Sequence, residues 1–204
     1  MKLLALAALM MLAGCGGGSS PAPQTTPVAS SGWAIRYSPN MPSNPQLSTG
    51  GFYFDFPAPP GSVHYVTKGA ASIGAVLTAK FDITATGAPV FNYKLEPSNT
   101  CDSSAKVRLF FQRKGDDLSA VGDLQYYRWW STKGYELAPG AGELVVAVTP
   151  DQWTSVYGKQ DPVQFQAALD NVDNVGMTFG GGCFYGHGVN VTNGTARFTL
   201  HSFN

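Results

Sequence analysis

Apolar and polar residues alternate along most of this 204-residue chain, as they do in strands that bury one face of a sheet. The alternation is clearest at residues 52–56, 77–83, 107–111, 144–148 and 175–179. Weaker alternations bring the total to about nine or ten short strands, separated by turn-forming residues. No strand–helix–strand repeat occurs. The pattern therefore predicts an all-β fold, in which two antiparallel sheets pack as a sandwich with one or two short helices.

The region 161–203 predicts a helix, a strand and a hairpin. Asp161 is placed to cap the helix, and Pro162 suits its first turn, where a missing N–H costs nothing. The apolar positions expected on the helix are Phe165, Ala168, Leu169 and Val172, and those on the following strand are Val175, Met177 and Phe179. Asn193-Gly194 favours a type I′ turn, which predicts a closing hairpin, and residues 87–89 predict another turn.

The segment 123–131 contains four aromatic residues and predicts a further strand. Because side chains alternate along a strand, Arg128 and Trp130 share one side and Tyr127 and Trp129 share the other. Flat amphipathic rings suit the apolar face of a sugar, and amide or guanidinium groups suit its hydroxyls. We favour Gln125, Tyr127 and Trp129 as the side that faces a ligand. The opposite phase stays open, as does burial of every ring in the core.

Residues 180–188, here called the glycine-rich loop, contain five glycines in nine positions. Glycine allows positive φ angles and lets the backbone approach a ligand closely. In that case Tyr185 and His187 would project toward the ligand; alternatively, the glycines only permit the bends of a structural crossover. His187 could bind a metal only if the fold brought His64 and His201 close to it, and we expect no metal site.

Residues 1–14 have the proportions of a signal peptide. Met1-Lys2 supplies a positive start, and the apolar run 3–12 is too short to span a bilayer. The run ends in Leu12-Ala13-Gly14-Cys15, which resembles the lipobox of bacterial lipoproteins. The resemblance implies cleavage before Cys15 and acylation of that cysteine. Because Gly16 rather than aspartate follows, it also implies attachment to the outer membrane of the cell envelope.

Residues 15–32 are rich in Gly, Ser, Pro and Thr and predict a flexible tether. This leaves residues 33–204 as one β-sandwich domain. The net charge is zero and no basic stripe is visible, which argues against nucleic acid as a partner. Apart from Cys15, the chain contains Cys101 and Cys183. In an oxidising compartment two cysteines suggest one disulfide, with two buried thiols as the alternative.

Several stretches resemble jelly-roll, galactose-binding-like domains, which occur as carbohydrate-binding modules. The resemblance covers most of residues 52–204 and is carried by Trp153 and by the stretches 81–83, 107–111, 144–148, 174–179 and 196–200. It implies a jelly-roll topology and glycan binding. Such domains often hold a structural calcium near the first and last strands. Residues 200–204 contain no carboxylate, so we expect no calcium and no other cofactor.

We therefore expect a lipid-anchored, non-catalytic module that binds a polysaccharide or glycan, with the membrane contacted only through the anchor. The expected ligand-binding residues are Gln125, Tyr127, Arg128, Trp129, Trp130, Tyr185 and His187. Two alternatives stay open: an assembly lipoprotein that contacts another envelope protein, and a polysaccharide-active hydrolase or lyase. The chain has no GxSxG, HExxH or phosphate-loop motif, and we predict no catalytic residue.

Overall fold

The computed structural model describes residues 32–93 and 104–204. The predicted signal peptide, Cys15 and almost all of the predicted tether lie outside these ranges, as does Cys101. The strands are β1 (Trp33–Arg36), β2 (Gln46–Ser48), β3 (Gly51–Asp55), β4 (Tyr65–Gly69), β5 (Val76–Tyr93), β6 (Ala105–Arg113), β7 (Arg128–Glu136), β8 (Gly140–Ala147), β9 (Trp153–Thr154), β10 (Val172–Gly181) and β11 (Val189–Phe203), and the helix α1 is Pro162–Leu169. Within the described ranges, no helix combines the length and apolar character needed to cross a membrane.

Two antiparallel sheets pack face to face. One has six strands in the order β1-β4-β10-β6-β7-β9, and the other has five in the order β2-β3-β11-β5-β8. The chain crosses repeatedly between the sheets, so β10 lies between β4 and β6 while β11 lies between β3 and β5. This is the strand order of a jelly roll. The prediction of an all-β, two-sheet antiparallel sandwich with a short helix is confirmed.

The core between the sheets is rich in phenylalanine. Phe54, Phe179 and Phe198 pack against one another with ring centroids 5.3 to 5.5 Å apart. Each comes from a stretch where the sequence alternates, and each is at most 3% exposed. Burying a side chain of this size contributes about 1.5–3 kcal/mol. Sandwich burial therefore accounts for the regular alternation in these strands.

The helix α1 begins and packs as the sequence predicts. Asp161 Oδ1 accepts hydrogen bonds from the backbone N–H groups of Val163 and Gln164, both at 3.0 Å. Phe165 and Ala168 are buried against the core. Val172, in contrast, is not on the helix but begins β10. The apolar pattern placed Val172 on the helix because a valine is buried equally well on a helix face or in a strand. The helix therefore ends earlier than the pattern predicted.

The predicted hairpin at Asn193-Gly194 is wrong. The strand β11 continues through this dipeptide alongside β5, and only the register shifts, between Thr192 and Gly194. Asn193 has a φ of 59°, and Gly87, opposite Gly194, has a φ of 79°. A β-bulge uses the same positive-φ residues as a tight turn. The turn predicted at 87–89 is wrong for the same reason, because β5 pairs with β11 on both sides of these residues and continues through them.

The predicted strand at 123–131 begins late. Gly122–Tyr126 form a 3₁₀ turn, and the strand β7 starts at Arg128. Gln125 Nε2 donates to the Gly122 carbonyl at 2.9 Å, within that turn. The segment therefore divides into a turn that closes on itself and a strand that joins the sheet.

Candidate functional site

The outer face of the six-stranded sheet carries a second buried layer. On β6, Arg108 and Phe110 alternate with residues of the sandwich core and so point outward. On β7, Arg128 and Trp130 point outward because Trp129 faces the core. All four outward side chains are nonetheless less than a tenth exposed. Loops therefore cover this face, and the space beneath them is a candidate binding site.

Five aromatic rings form a continuous row across this outer face. Successive ring centroids are 5.6, 5.1, 5.4 and 6.4 Å apart in the order Tyr37, Tyr65, Phe110, Trp130 and Tyr185. We call these five residues the outer aromatic row. Edge-to-face and tilted contacts of this kind contribute about 0.5–1.5 kcal/mol beyond area burial. The row therefore fixes the orientation of Trp130 and Tyr185 independently of the sandwich core.

A cavity of about 360 Å³ lies at the end of this row, between residues 155–158 and the glycine-rich loop. Its aromatic lining consists of Tyr65, Trp130, Tyr157 and Tyr185, and its polar lining includes Arg128, Ser155 and His187. This volume is near the lower end of the roughly 300–1,000 Å³ range of small-molecule sites. The cavity suits a ligand with both flat apolar faces and polar groups.

A buried carboxylate holds Arg128 in place. The Nε atom of Arg128 lies 2.9 Å from Asp116 Oδ2, and the two side chains are 10% and 1% exposed. Asp116 also accepts hydrogen bonds from Gln112 Nε2 at 2.7 Å and from the Leu118 N–H at 3.0 Å. Removing one partner of a pair this enclosed costs about 3–5 kcal/mol. Arg128 is therefore a rigid part of the cavity lining.

Tyr65 adds a neutral hydroxyl to the lining. Burial raises the pKa of Tyr65 to about 12, while the nearby guanidinium of Arg128 opposes part of that shift. A side-chain hydrogen bond with Arg128 acts in the same direction, lowering the pKa of Tyr65. Tyr65 thus keeps its proton near neutral pH, and its O–H group is a donor at the cavity.

A second arginine fixes Tyr185 on the sheet. The guanidinium carbon of Arg108 lies 3.9 Å from the centroid of the Tyr185 ring. Arg108 Nη1 also donates to the backbone carbonyls of Ser131, at 3.0 Å, and Thr132. A desolvated cation–π contact of this kind contributes about 2 kcal/mol. Arg108 therefore anchors the glycine-rich loop over the sheet.

The glycines of this loop let its backbone lie close against other parts of the protein. A Cβ atom on Gly186 would lie 2.5 Å from the Tyr65 hydroxyl oxygen, and one on Gly180 would lie 2.0 Å from the Phe184 carbonyl oxygen. No side chain fits at either distance. The loop can therefore lie flat on β10 and the outer aromatic row, which is the structural alternative that the sequence left open.

The fold brings one of the two other histidines close to His187. Burial lowers the pKa of His64, and the neighbouring His187 lowers it further, while a backbone hydrogen bond with Gly186 acts in the opposite direction. His201 instead lies 2.6 Å from Asp82, on the other sheet. The described ranges contain no group of three or more His, Cys, Asp or Glu side chains that could hold a metal.

Four buried polar atoms in the lining residues have no hydrogen-bond partner in the part of the chain that the structure describes. They are Arg128 Nε, which has only its ion-pair contact with Asp116, and Arg128 Nη2, Trp130 Nε1 and Ser155 Oγ. An unsatisfied buried donor costs about 1–3 kcal/mol. Arg and Trp side chains can only donate. A bound molecule or water that supplies acceptors would therefore stabilise this region.

Four of the seven predicted ligand-binding residues meet at the cavity: Arg128, Trp130, Tyr185 and His187. The favoured outward set is wrong, since the opposite phase of the strand holds. Trp129 is fully buried in the core, where its Nε1 donates to the Tyr126 carbonyl at 2.7 Å. Tyr127 packs beneath Arg113, whose guanidinium carbon is 4.5 Å from its ring centroid. Gln125 bonds within its own turn, so neither residue lines the cavity.

The sequence did not identify three of the lining residues that carry hydroxyl groups: Tyr65, Ser155 and Tyr157. Tyr65 lies in a short strand whose pattern resembles any edge strand. Ser155 and Tyr157 lie in a turn after β9 and carry no motif. A turn-forming Tyr157-Gly158 pair is a weak signal, because only the pairing of β7 with β9 brings this turn to the cavity.

Comparisons with protein families, curated proteins and solved structures found no match to this chain. Cys183 lies in the cavity lining, while its predicted partner Cys101 lies outside the described residues. The disulfide therefore stays a prediction. The cavity combines four aromatic rings, one guanidinium and several hydroxyl donors around one space.

Proposed function

We propose that this chain is a lipid-anchored, non-catalytic module that binds a glycan through the cavity on its six-stranded sheet. The observation that carries the proposal is the convergence of four aromatic rings with Arg128 and Ser155 around one space of about 360 Å³. Rings pack on the apolar faces of sugars, and the polar groups bond hydroxyls. The volume suits one or two sugar units rather than a long segment of polysaccharide.

Binding without hydrolysis is supported by the chemistry of the lining. Glycoside hydrolases usually place two carboxylates on either side of the scissile bond. Among the described residues that line the cavity, none is Asp or Glu. Asp116 lies outside that lining and is engaged by Arg128. These groups can hold a sugar, but they do not form a carboxylate pair.

Attachment to the outer membrane is part of the same proposal. It is supported by the sequence Leu12-Ala13-Gly14-Cys15 and by the segment 16–32, which contains no charged residue. A flexible tether of that length reaches roughly 20–25 Å. The cavity would then stay within a short distance of the membrane surface, where it could hold a surface or periplasmic glycan.

The test is affinity electrophoresis of the full-length chain, purified in detergent, against a panel of soluble polysaccharides. The variant Tyr157→Ala removes a ring that is 64% exposed and lines the cavity. We expect it to weaken binding roughly tenfold without lowering stability, since an aromatic contact of this kind contributes up to about 1.5 kcal/mol. The matched control is Tyr53→Ala, because Tyr53 packs beneath Arg197 on the opposite sheet.

The core residue Trp129 supplies a second comparison. Trp129→Ala should lower the free energy of unfolding in urea by about 3–5 kcal/mol, as expected for a buried indole, because it packs among Phe111 and Phe165. Failure of every polysaccharide to retard the wild-type chain would contradict the proposal. Equal effects of Tyr157→Ala and Tyr53→Ala on binding would show that the cavity is not the site.

A further inference from the structure

The cavity lining is rich in donors and poor in side-chain acceptors. Among the described lining residues, Arg128 is the one with a permanent charge, and Asp, Glu, Asn and Gln are all absent. Arg128 and Trp130 donate only, whereas the Tyr and Ser hydroxyls both donate and accept. A neutral sugar offers hydroxyls that also both donate and accept. A better match for this lining is a ligand that supplies additional acceptors.

The position of Arg128 indicates which kind of hydrogen-bond acceptor on a ligand fits the cavity best. The Asp116 side chain is 1% exposed and lies 2.9 Å from Arg128 Nε, on one edge of the guanidinium. This contact holds the guanidinium in place in the structure. Arginine held in this way is suited to a carboxylate, because the planar fork of N–H groups matches two oxygens.

Unpartnered donors point to the same chemistry. Arg128 Nη2 and Trp130 Nε1 lack partners among the described residues and are closed to bulk water. A ligand in the cavity therefore reaches them only if the residues that cover them shift. Such a shift is favourable when the incoming group is a strong acceptor, since bonds with a charged partner contribute more than neutral ones.

We infer that the sugar unit bound in this cavity carries a carboxylate, as uronic acids do, and that Arg128 recognises it. This inference rests on the proposed glycan-binding function and specifies the ligand class for the same site. Trp130 and Tyr185 would hold the ring of the sugar, and the carboxylate would face Arg128. Asp116 acts as a positioning residue, because it contacts Arg128 and not the cavity.

The experiment compares matched ligands by calorimetry with the full-length chain in detergent. Oligogalacturonate, oligoglucuronate and oligomannuronate are each paired with their carboxyl-reduced, neutral forms. We expect at least one acidic ligand to bind roughly 10- to 100-fold more tightly than its reduced form, as charged hydrogen bonds predict. That preference should shrink as salt rises from about 0.05 to 0.5 M.

The variant Arg128→Lys keeps the charge and removes the planar fork, so it should reduce the ratio of acidic to neutral affinity. Trp130→Phe keeps a ring and removes the indole donor. If Arg128→Lys fails to fold, the ratio of acidic to neutral affinity is measured on Trp130→Phe instead, and it should again be reduced. Equal binding of acidic and reduced ligands would overturn the inference and leave glycan binding intact. Absence of binding to any glycan, acidic or neutral, would overturn both.

Discussion

Three consecutive side chains at the start of β7 divide between the two faces of the sheet. Arg128 pairs with Asp116, Trp129 fills the sandwich core, and Trp130 joins the outer aromatic row. Adjacent residues of a strand face opposite ways, so a shift of one residue would exchange the two tryptophans. Strand phase, not residue type, thus decides which tryptophan is available to a ligand.

His64 predicts a pH dependence of stability. Its pKa is lowered in the folded chain, so the unfolded state binds more protons below about pH 6.5, the ordinary histidine value. The stabilising contribution is complete above that pH and is lost as the pH falls toward the folded-state pKa. In urea titrations, the free energy of unfolding of the wild type minus that of His64→Gln should decrease from about pH 7.5 to pH 5.

The neighbouring His187, the second cause of the lowered pKa of His64, supplies the control. His187→Gln removes the neighbouring imidazole that lowers the pKa of His64, and it should make the pH dependence shallower without abolishing it. A free-energy difference that stays constant with pH, or that grows as the pH falls, would show that His64 does not act as described.

At the scale of elements, the two turns predicted at residues 87–89 and at Asn193-Gly194 both lie within continuous strands. The strands β5 and β11 pass each other over most of their length, and positive-φ residues are absorbed in a bulge. The glycine-rich loop, in contrast, does reverse the chain, but its glycines serve contacts with Tyr65, Phe184 and His64. Long-range pairing therefore determines what a local glycine signal means.

The loop predicts a sharp difference between two glycine substitutions. Gly186→Ala places a methyl group 2.5 Å from the Tyr65 hydroxyl oxygen, so either the loop or the Tyr65 side chain, both part of the cavity lining, must shift. We expect lower stability by about 1–3 kcal/mol, as for other overpacked sites, together with weaker glycan binding.

The matched substitution is Gly74→Ala, also in a loop. Its added methyl group would lie 3.8 Å from its nearest neighbour, an ordinary contact. We expect a change within about 0.5 kcal/mol, as for surface positions, and unchanged binding. Thermal melting and the same affinity measurement check both variants, and an equal effect of the two would contradict the assigned role of Gly186.

At the scale of the whole molecule, the centre of the six-stranded sheet is buried on both faces, while the five-stranded sheet has one exposed face. Along β6, Val107 to Phe111 are all buried, because odd positions face the core and even positions face the outer layer. On β11, Arg197 and Thr199 alternate with buried Phe198 and are exposed or partly exposed. The asymmetry leaves the six-stranded sheet as the one with a covered outer face, and this face carries the cavity.

The cysteines predict a chain without free thiols. If Cys15 is acylated and Cys101 pairs with Cys183, thiol reagents should not label the denatured, unreduced chain, and Cys101→Ser should expose one thiol. Reduction opens a loop of about 80 residues and should lower the free energy of unfolding by up to about 4.5 kcal/mol. Mass spectrometry after alkylation and urea titration provide the two measurements.

The variant Cys15→Ser separates the anchor from the disulfide. It should release the chain from the membrane fraction and leave the thiol count of the remaining cysteines unchanged. Two labelled thiols in the wild-type chain would contradict the disulfide, and membrane attachment that survives Cys15→Ser would contradict the lipid anchor.

The sequence by itself determined the all-β sandwich and the capped helix α1, and it singled out four residues that the structure places around one cavity. Each depends on local information: alternation with a period of two, a capping side chain beside a proline, and rings clustered in one segment. Such patterns are readable because burial of one strand face or one helix face constrains every second or every third to fourth residue.

Only the tertiary structure decided the rest. The phase of β7 depends on whether Trp129 or its neighbour Trp130 packs against Phe111 and Phe165. In the structure it is Trp129, and both phenylalanines come from other segments of the chain. The cavity requires β4, β7, the turn after β9 and the glycine-rich loop to meet. No local pattern specifies those contacts, because strand pairing between distant segments is set by the energy of the whole packed sheet.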